Sequence, residues 1–232
     1  VAATFSTVDE VEAALRDTVI VAKSAGEGLG VSLLHWIIGD SQRSIVVEMM
    51  ADGLHVYDDP VDTLANQPTF PWHMENLRTY ITATSDFPQT ATWRGAELKP
   101  YGAGAGMRGI PGDCYSPSRF VKAAYLNANY PQKESETENV VRMFRSLEGV
   151  VMIEGASRMG DGKFEKTIYT GCFSARTGNY YYAMYGDPSI RYVSLMDAEG
   201  ASPDRLVVPD SFTAMQNGPA SPVRCRAAFV DL

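Results

Sequence analysis

The sequence predicts an α+β fold with mostly antiparallel sheets, and two observations carry that reading. Short β-rich runs fall into two groups, within residues 34–57 and 166–195, and helical periodicity occupies the middle of the chain between them. Strands, then helices, then strands predict sheets with helices covering them, whereas a parallel sheet requires strand and helix to alternate. With 232 residues, 45% of them hydrophobic and 21% charged, the chain can bury one substantial core. Nothing in the composition calls for a second one.

Each element has a local cause. Thr7-Val-Asp-Glu10 has the spacing of a capping box, and Val8, Val11 and Leu15 follow at helical intervals. Leu34-His-Trp-Ile-Ile-Gly39, Ser44-Ile-Val-Val-Glu-Met-Met50 and Gly53-Leu-His-Val-Tyr57 are strands separated by turn residues, which predicts an antiparallel meander. Asn66-Gln-Pro-Thr-Phe-Pro71 is a turn, since Gln67 and Phe70 both precede proline; Pro71 then opens a helix with Met74, Leu77 and Ile81 along its apolar stripe. Residues 84–115 read as one long loop, a candidate lid or pocket wall. A helix from Pro117, with Ser116 as its N-cap, buries Phe120, Ala123, Ala124 and Tyr125; another from about Glu136 aligns Val140, Met143, Phe144 and Leu147. Residues 166–174, 179–185 and 190–195 predict a second meander. The domain is expected to end near residue 200, leaving 201–232 as a partly ordered tail.

Composition narrows the function. Twenty basic residues stand against 28 acidic ones, a formal charge of −8, and no Lys/Arg cluster interleaves with aromatics, so a nucleic-acid partner is not expected. No apolar run approaches the roughly 18 residues of a membrane span, and the chain start lacks the basic region of a signal peptide. Three widely spaced cysteines with no Cys-x-x-Cys pair fit a reducing cytoplasm. His35, His55 and His73 lack metal-ligand spacing, so neither a metal nor a cofactor is implied.

Two residues point to chemistry. Arg119 falls in the first turn of its helix, where unpaired N–H groups already carry partial positive charge; a cation there costs about 0.3–1 kcal/mol at an exposed site unless an anion lies close. Asp113, a ligand carboxylate or an ionised thiol could supply that anion. Asn66 sits in a turn, where asparagine commonly bonds its own backbone, but its carboxamide can also offer two N–H donors to a developing oxyanion. Gly104-Ala-Gly-Met-Arg-Gly109 matches a dinucleotide fingerprint without the strand before it or the helix after it, and reads as loop. Cys114 lies outside the helix's first turn and reads as structural.

Taken together, Leu64-Ala-Asn-Gln-Pro-Thr-Phe70, Met74-Glu-Asn-Leu-Arg78, Gly109-Ile-Pro-Gly-Asp113, Ser116-Pro-Ser-Arg-Phe120 and Thr167-Ile-Tyr-Thr170 resemble the bile salt hydrolases of the choloylglycine hydrolase family. Ser32-Leu-Leu-His-Trp36 and Ser44-Ile-Val-Val-Glu48 extend the resemblance, which runs from residue 1 to about 197. It implies an N-terminal nucleophile hydrolase fold, an αββα sandwich, in which a cysteine at the mature N-terminus attacks the amide joining a bile acid to glycine or taurine through an acyl-enzyme. Asn66 matches the family's active-site asparagine and Arg119 the arginine beside the thiol. Val1 is not a nucleophile, so the N-terminal portion carrying the cysteine is expected to lie outside this chain, which alone should be inactive. Ala65 stands where threonine is common, and Leu29, Val31 and Met107 are candidates to touch a steroid face. The resemblance further implies a bacterial, cytoplasmic homotetramer. A penicillin V acylase type of amidase and a nucleophile-free binding subunit remain open as alternatives.

Overall fold

The structure, a computed structural model, describes residues 4–24, 26, 30–31 and 34–194; Leu29 and the expected tail 201–232 lie outside the described residues. Two compact units divide between Tyr130 and Pro131. The first begins with α1 (Val8–Leu15), where Thr7 and Glu10 form the expected capping box. The meander follows as β1 (His35–Gly39), β2 (Ser44–Met50) and β3 (Gly53–Asp58), antiparallel in the order β1-β2-β3 with His35 opposite Glu48.

Strand β2 is buried on both faces. Because side chains alternate along a strand, Val46 and Glu48 point one way and Ile45 and Val47 the other. Ile45 and Val47 pack with Val8 of α1. Val46 packs with Ala65, Phe70, Phe120 and Ala124, the core beneath α2 (Phe70–Leu77) and α3 (Ser116–Ala128). Withdrawing a side chain such as Phe120 from water contributes about 1.5–3 kcal/mol. Helix α1 is also pinned from the rim, where Arg43 bonds Asp9, Glu12 and, on β3, Asp58.

Several expectations are corrected in this unit. Helix α2 starts at Phe70 rather than Pro71, because Phe70 is anchored in the core and its N–H donates to the buried Glu48 Oε1 at 2.9 Å. Ile81 is exposed, because α2 ends at Leu77 and a 3-10 turn, Arg78–Tyr80, intervenes. Helix α3 is capped by Tyr115, which puts Ser116 inside the first turn, and its core face carries Val121 with Phe120 and Ala124, leaving Ala123 and Tyr125 half-buried. Segment 84–115 is not one loop: β4 (Ala91–Trp93) and β5 (Ala96–Leu98) form a hairpin across Arg94-Gly95, both at positive φ, and Ala103–Met107 form a 3-10 turn. Gly106 lies so close to Thr84 that a Cβ there would stand 2.4 Å from the Thr84 carbonyl oxygen. Backbone packing accounts for that glycine without a cofactor.

In the second unit, α4 (Glu136–Glu148) buries Val140 and Phe144 and is capped by Ser135. The short hairpin of β6 (Ser157–Arg158) and β7 (Phe164–Glu165) precedes β8 (Tyr169–Ser174), β9 (Asn179–Met184) and β10 (Asp187–Ser194), the second meander, ordered β10-β9-β8. Glu136 at the start of α4 accepts hydrogen bonds from Tyr181 Oη at 2.6 Å and Thr177 Oγ1 at 2.8 Å. These hold its carboxyl below the usual carboxylate range.

Candidate active site

The site is built where the β3–α2 connection meets the start of α3. Asp59 shapes the connection, its carboxylate accepting the N–H groups of Val61 and Thr63 at 3.0 and 2.9 Å. From α3, Asn127 Nδ2 reaches back to the carbonyls of Val61 and Asp62 and to Thr63 Oγ1. Ala65 then enters the core, and Asn66 emerges at the surface.

Asn66 is held at both ends. Its main-chain carbonyl accepts two hydrogen bonds, from Ser116 Oγ at 2.7 Å and His73 Nε2 at 2.8 Å. Its side-chain Oδ1 accepts from the Arg119 guanidinium at 2.6 Å. A guanidinium only donates, so the amide must turn its oxygen toward Arg119 and its two N–H donors away. The same bond draws electron density toward Oδ1 and makes those N–H groups better donors.

The electrostatic oddity at Arg119 resolves locally. Asp113 accepts the Tyr115 N–H and the Ser118 hydroxyl, each at 2.9 Å, and so sets a carboxylate at the positive end of α3. The Tyr115 N–H first, then the Ser118 hydroxyl, hold the Asp113 carboxyl below the usual range. Arg119 meanwhile turns back along the chain, its Nε donating to the Cys114 carbonyl at 3.1 Å. Two bonds in different directions fix the guanidinium plane.

Below this surface lies a buried polar layer. Glu48, 1% exposed, accepts from His35 Nδ1 at 2.7 Å as well as from Phe70 N–H. His73, 0% exposed, stacks on Phe120 with ring centroids 4.4 Å apart. Burial pushes the His73 pKa down, partly offset by its bond to Asn66 and by Glu48, so the ring is neutral at pH 7 with its proton on Nε2.

The structure therefore brings Asn66 and Arg119 into direct contact and places Ala65 next to them with its methyl in the core. Val31 is 48% exposed and Met107 40% exposed; neither belongs to the hydrogen-bonded cluster around Asn66. Sequence reading missed His73 and Glu48 and took Ser116 for a cap. A signal existed for Glu48: a lone carboxylate closing the apolar run Ile45-Val-Val, with a histidine in the neighbouring strand. Among the described residues, no group of three or more His, Cys, Asp or Glu could hold a metal, and no helix is long and apolar enough to cross a membrane.

A family model described as linear amide C–N hydrolases, choloylglycine hydrolase family, matches residues 1–207. The chain is 50% identical over 208 residues to a bile salt hydrolase/transferase from Bifidobacterium longum subsp. longum, covering 90% of this chain and 65% of that protein. It is 39% identical to a conjugated bile acid hydrolase from Lactobacillus acidophilus, covering 83% of this chain and 61% of that relative. Among solved structures it is similar to a mutant conjugated bile acid hydrolase from Clostridium perfringens, with a TM-score of 0.75 and 33% identity over 84% of this chain and 59% of that one. Penicillin V acylase from Agrobacterium tumefaciens, at 17% identity and a TM-score of 0.63 over 83% of this chain and 52% of that one, is alike in fold. The chain thus spans less than two thirds of the length of these relatives. The mixed fold with antiparallel sheets, expected from the sequence, is the one these N-terminal nucleophile hydrolases share. The chain belongs to the choloylglycine hydrolase family of linear amide C–N hydrolases.

Proposed function

We propose that this chain supplies the Asn66–Arg119 side of a cysteine amidohydrolase that cleaves glycine- or taurine-conjugated bile acids, with the nucleophile, an N-terminal cysteine, contributed from outside the 232 residues. One observation carries the reading: the guanidinium of Arg119 bonds Asn66 Oδ1 at 2.6 Å, which leaves the Asn66 N–H pair aimed away from it and open to a ligand. The names of the relatives supply the substrate class.

In this mechanism the cysteine α-amino group takes the thiol proton and the thiolate attacks the amide carbonyl carbon. The carbonyl oxygen gathers negative charge, and the Asn66 N–H donors stabilise it. Collapse of the tetrahedral intermediate breaks the C–N bond; the amino group returns its proton to the leaving glycine or taurine nitrogen, and a thioester remains. Water then releases the bile acid and restores the thiol. Arg119 keeps the amide of Asn66 in its working orientation and adds positive charge beside the thiolate. Leu29, Val31 and Met107 provide apolar contact to the steroid, and Ala65, in the core, influences Asn66 through the backbone.

The same reading takes residues 1–200 as the C-terminal portion of one hydrolase domain, in a cytoplasmic homotetramer. Three widely spaced cysteines without a Cys-x-x-Cys pair support a reducing setting; sedimentation of the full-length protein by analytical ultracentrifugation measures the assembly. The function is tested by incubating full-length protein with glycocholate. Release of glycine, together with a bile-acyl mass increment on the protein in acid-quenched samples, supports the reading. Intact glycocholate after prolonged incubation with correctly processed protein overturns it.

A further inference from the structure

We propose that Ser116 and His73 are positioning residues that set the working geometry of Asn66 by gripping its main-chain carbonyl; the inference deepens the active-site reading above and rests on it. Asn66 lies at the surface, where a carboxamide on an irregular connection is ordinarily free to turn. Here its carbonyl oxygen uses both lone pairs, one on Ser116 Oγ at 2.7 Å and one on His73 Nε2 at 2.8 Å.

The two donors come from different helices, and both are buried in the core beneath the site. Ser116 stands one turn before Arg119 on α3, so the same helix grips the main chain of Asn66 and its side chain. The carbonyl bond and the Oδ1 bond together leave the residue little freedom to rotate. His73 is itself fixed. Phe120 stacks on its ring, and the start of α2, the helix that carries it, is tied through the Phe70 N–H to Glu48, which also bonds His35. The grip therefore runs from β1 and β2 through α2 to the carboxamide.

A serine at this position could have capped α3, the role that its Ser-Pro context favours. Its hydroxyl instead spans 50 residues of sequence to meet Asn66, while Asp113 serves the helix end. Misplacing an oxyanion donor by a fraction of an ångström weakens the transition state more than the ground state. The signature is a loss in kcat with KM retained.

The test uses full-length protein with Ser116→Ala, Ser116→Thr and His73→Phe, which keeps an aromatic ring against Phe120. Glycocholate turnover is expected to fall about tenfold in kcat for Ser116→Ala, with KM within about twofold, and Ser116→Thr is expected to restore most of it. A readout independent of activity accompanies it: asparagine-selective 15N labelling, with the order parameter of the Asn66 side-chain amide measured by NMR. That order parameter is expected to drop in Ser116→Ala and in His73→Phe and to recover in Ser116→Thr. An unchanged order parameter in Ser116→Ala overturns the inference whether or not the protein turns over glycocholate. An inactive parent protein whose Asn66 amide still loosens in Ser116→Ala upholds the positioning claim and overturns the functional reading instead.

Discussion

The connection from Asp59 to Thr69 and the segment from Thr84 to Met107 both lack long regular elements and both border α2, yet they are held by different means. In the first, Asp59, Asn127, Ser116, His73 and Arg119 all bond the connection, and Ala65 anchors it in the core. In the second, the hairpin is exposed along both strands, Trp93 is 73% exposed, and Phe87, Tyr101 and Met107 also face solvent. A main-chain bond ties its two ends, the Thr84 N–H donating to the Gly106 carbonyl at 3.0 Å. The contrast separates a preorganised region, which can hold a donor where charge develops, from an adaptable one, which can only follow a ligand or partner.

The largest expected effect attacks the shared foundation. Phe120 packs against Phe70 and His73 at once, so Phe120→Ala should cost about 3–5 kcal/mol, measured by urea denaturation. Next, Arg119→Ala in full-length protein should lower kcat about a hundred- to a thousandfold on glycocholate while leaving thermal stability nearly unchanged, since Arg119 is half-exposed. Asn127→Ala strips the connection of its bonds at Val61, Asp62 and Thr63 and should destabilise by about 1–3 kcal/mol.

Acid should loosen the pinned region in two stages. His73 has a depressed pKa when folded, so the unfolded chain binds a proton that the folded one refuses; stability is full above the ordinary value of 6.5 and falls as pH drops below it. The groups that bear on this ring are Glu48, His35 and Arg119, and His73→Phe should flatten that part of a melting-temperature profile against pH. Asp113 is also depressed, and its stabilisation, present above 3.8, is lost as pH falls through its lower folded value. The smallest effect is expected in the adaptable segment: Trp93→Ala should shift stability by no more than about 0.5 kcal/mol by the same denaturation assay.

How far each region could be read from sequence follows the same division. Both meanders were legible because β-rich runs such as Ser44–Met50 stop at clear turn residues, here Ala51-Asp-Gly53. The capping box of α1 was legible because its partners lie three residues apart. The hairpin β4–β5 was not, since three-residue strands exposed along their whole length carry no alternation to detect. Asn66 and Arg119 stood out individually, one as a turn amide and the other as a cation in a first turn. Their contact, 53 residues apart in sequence, is a tertiary fact, and so is the choice of Ser116 to bond Asn66 instead of capping its own helix.

The most direct measurement is a double-mutant cycle on kcat/KM for glycocholate in full-length protein, comparing Asn66→Ala, Arg119→Ala and the pair. If Arg119 acts chiefly by fixing the Asn66 carboxamide, the loss in the double variant should fall far short of the product of the two single losses. Losses that multiply in the double variant contradict the account, because the two side chains then act independently despite the 2.6 Å bond between them.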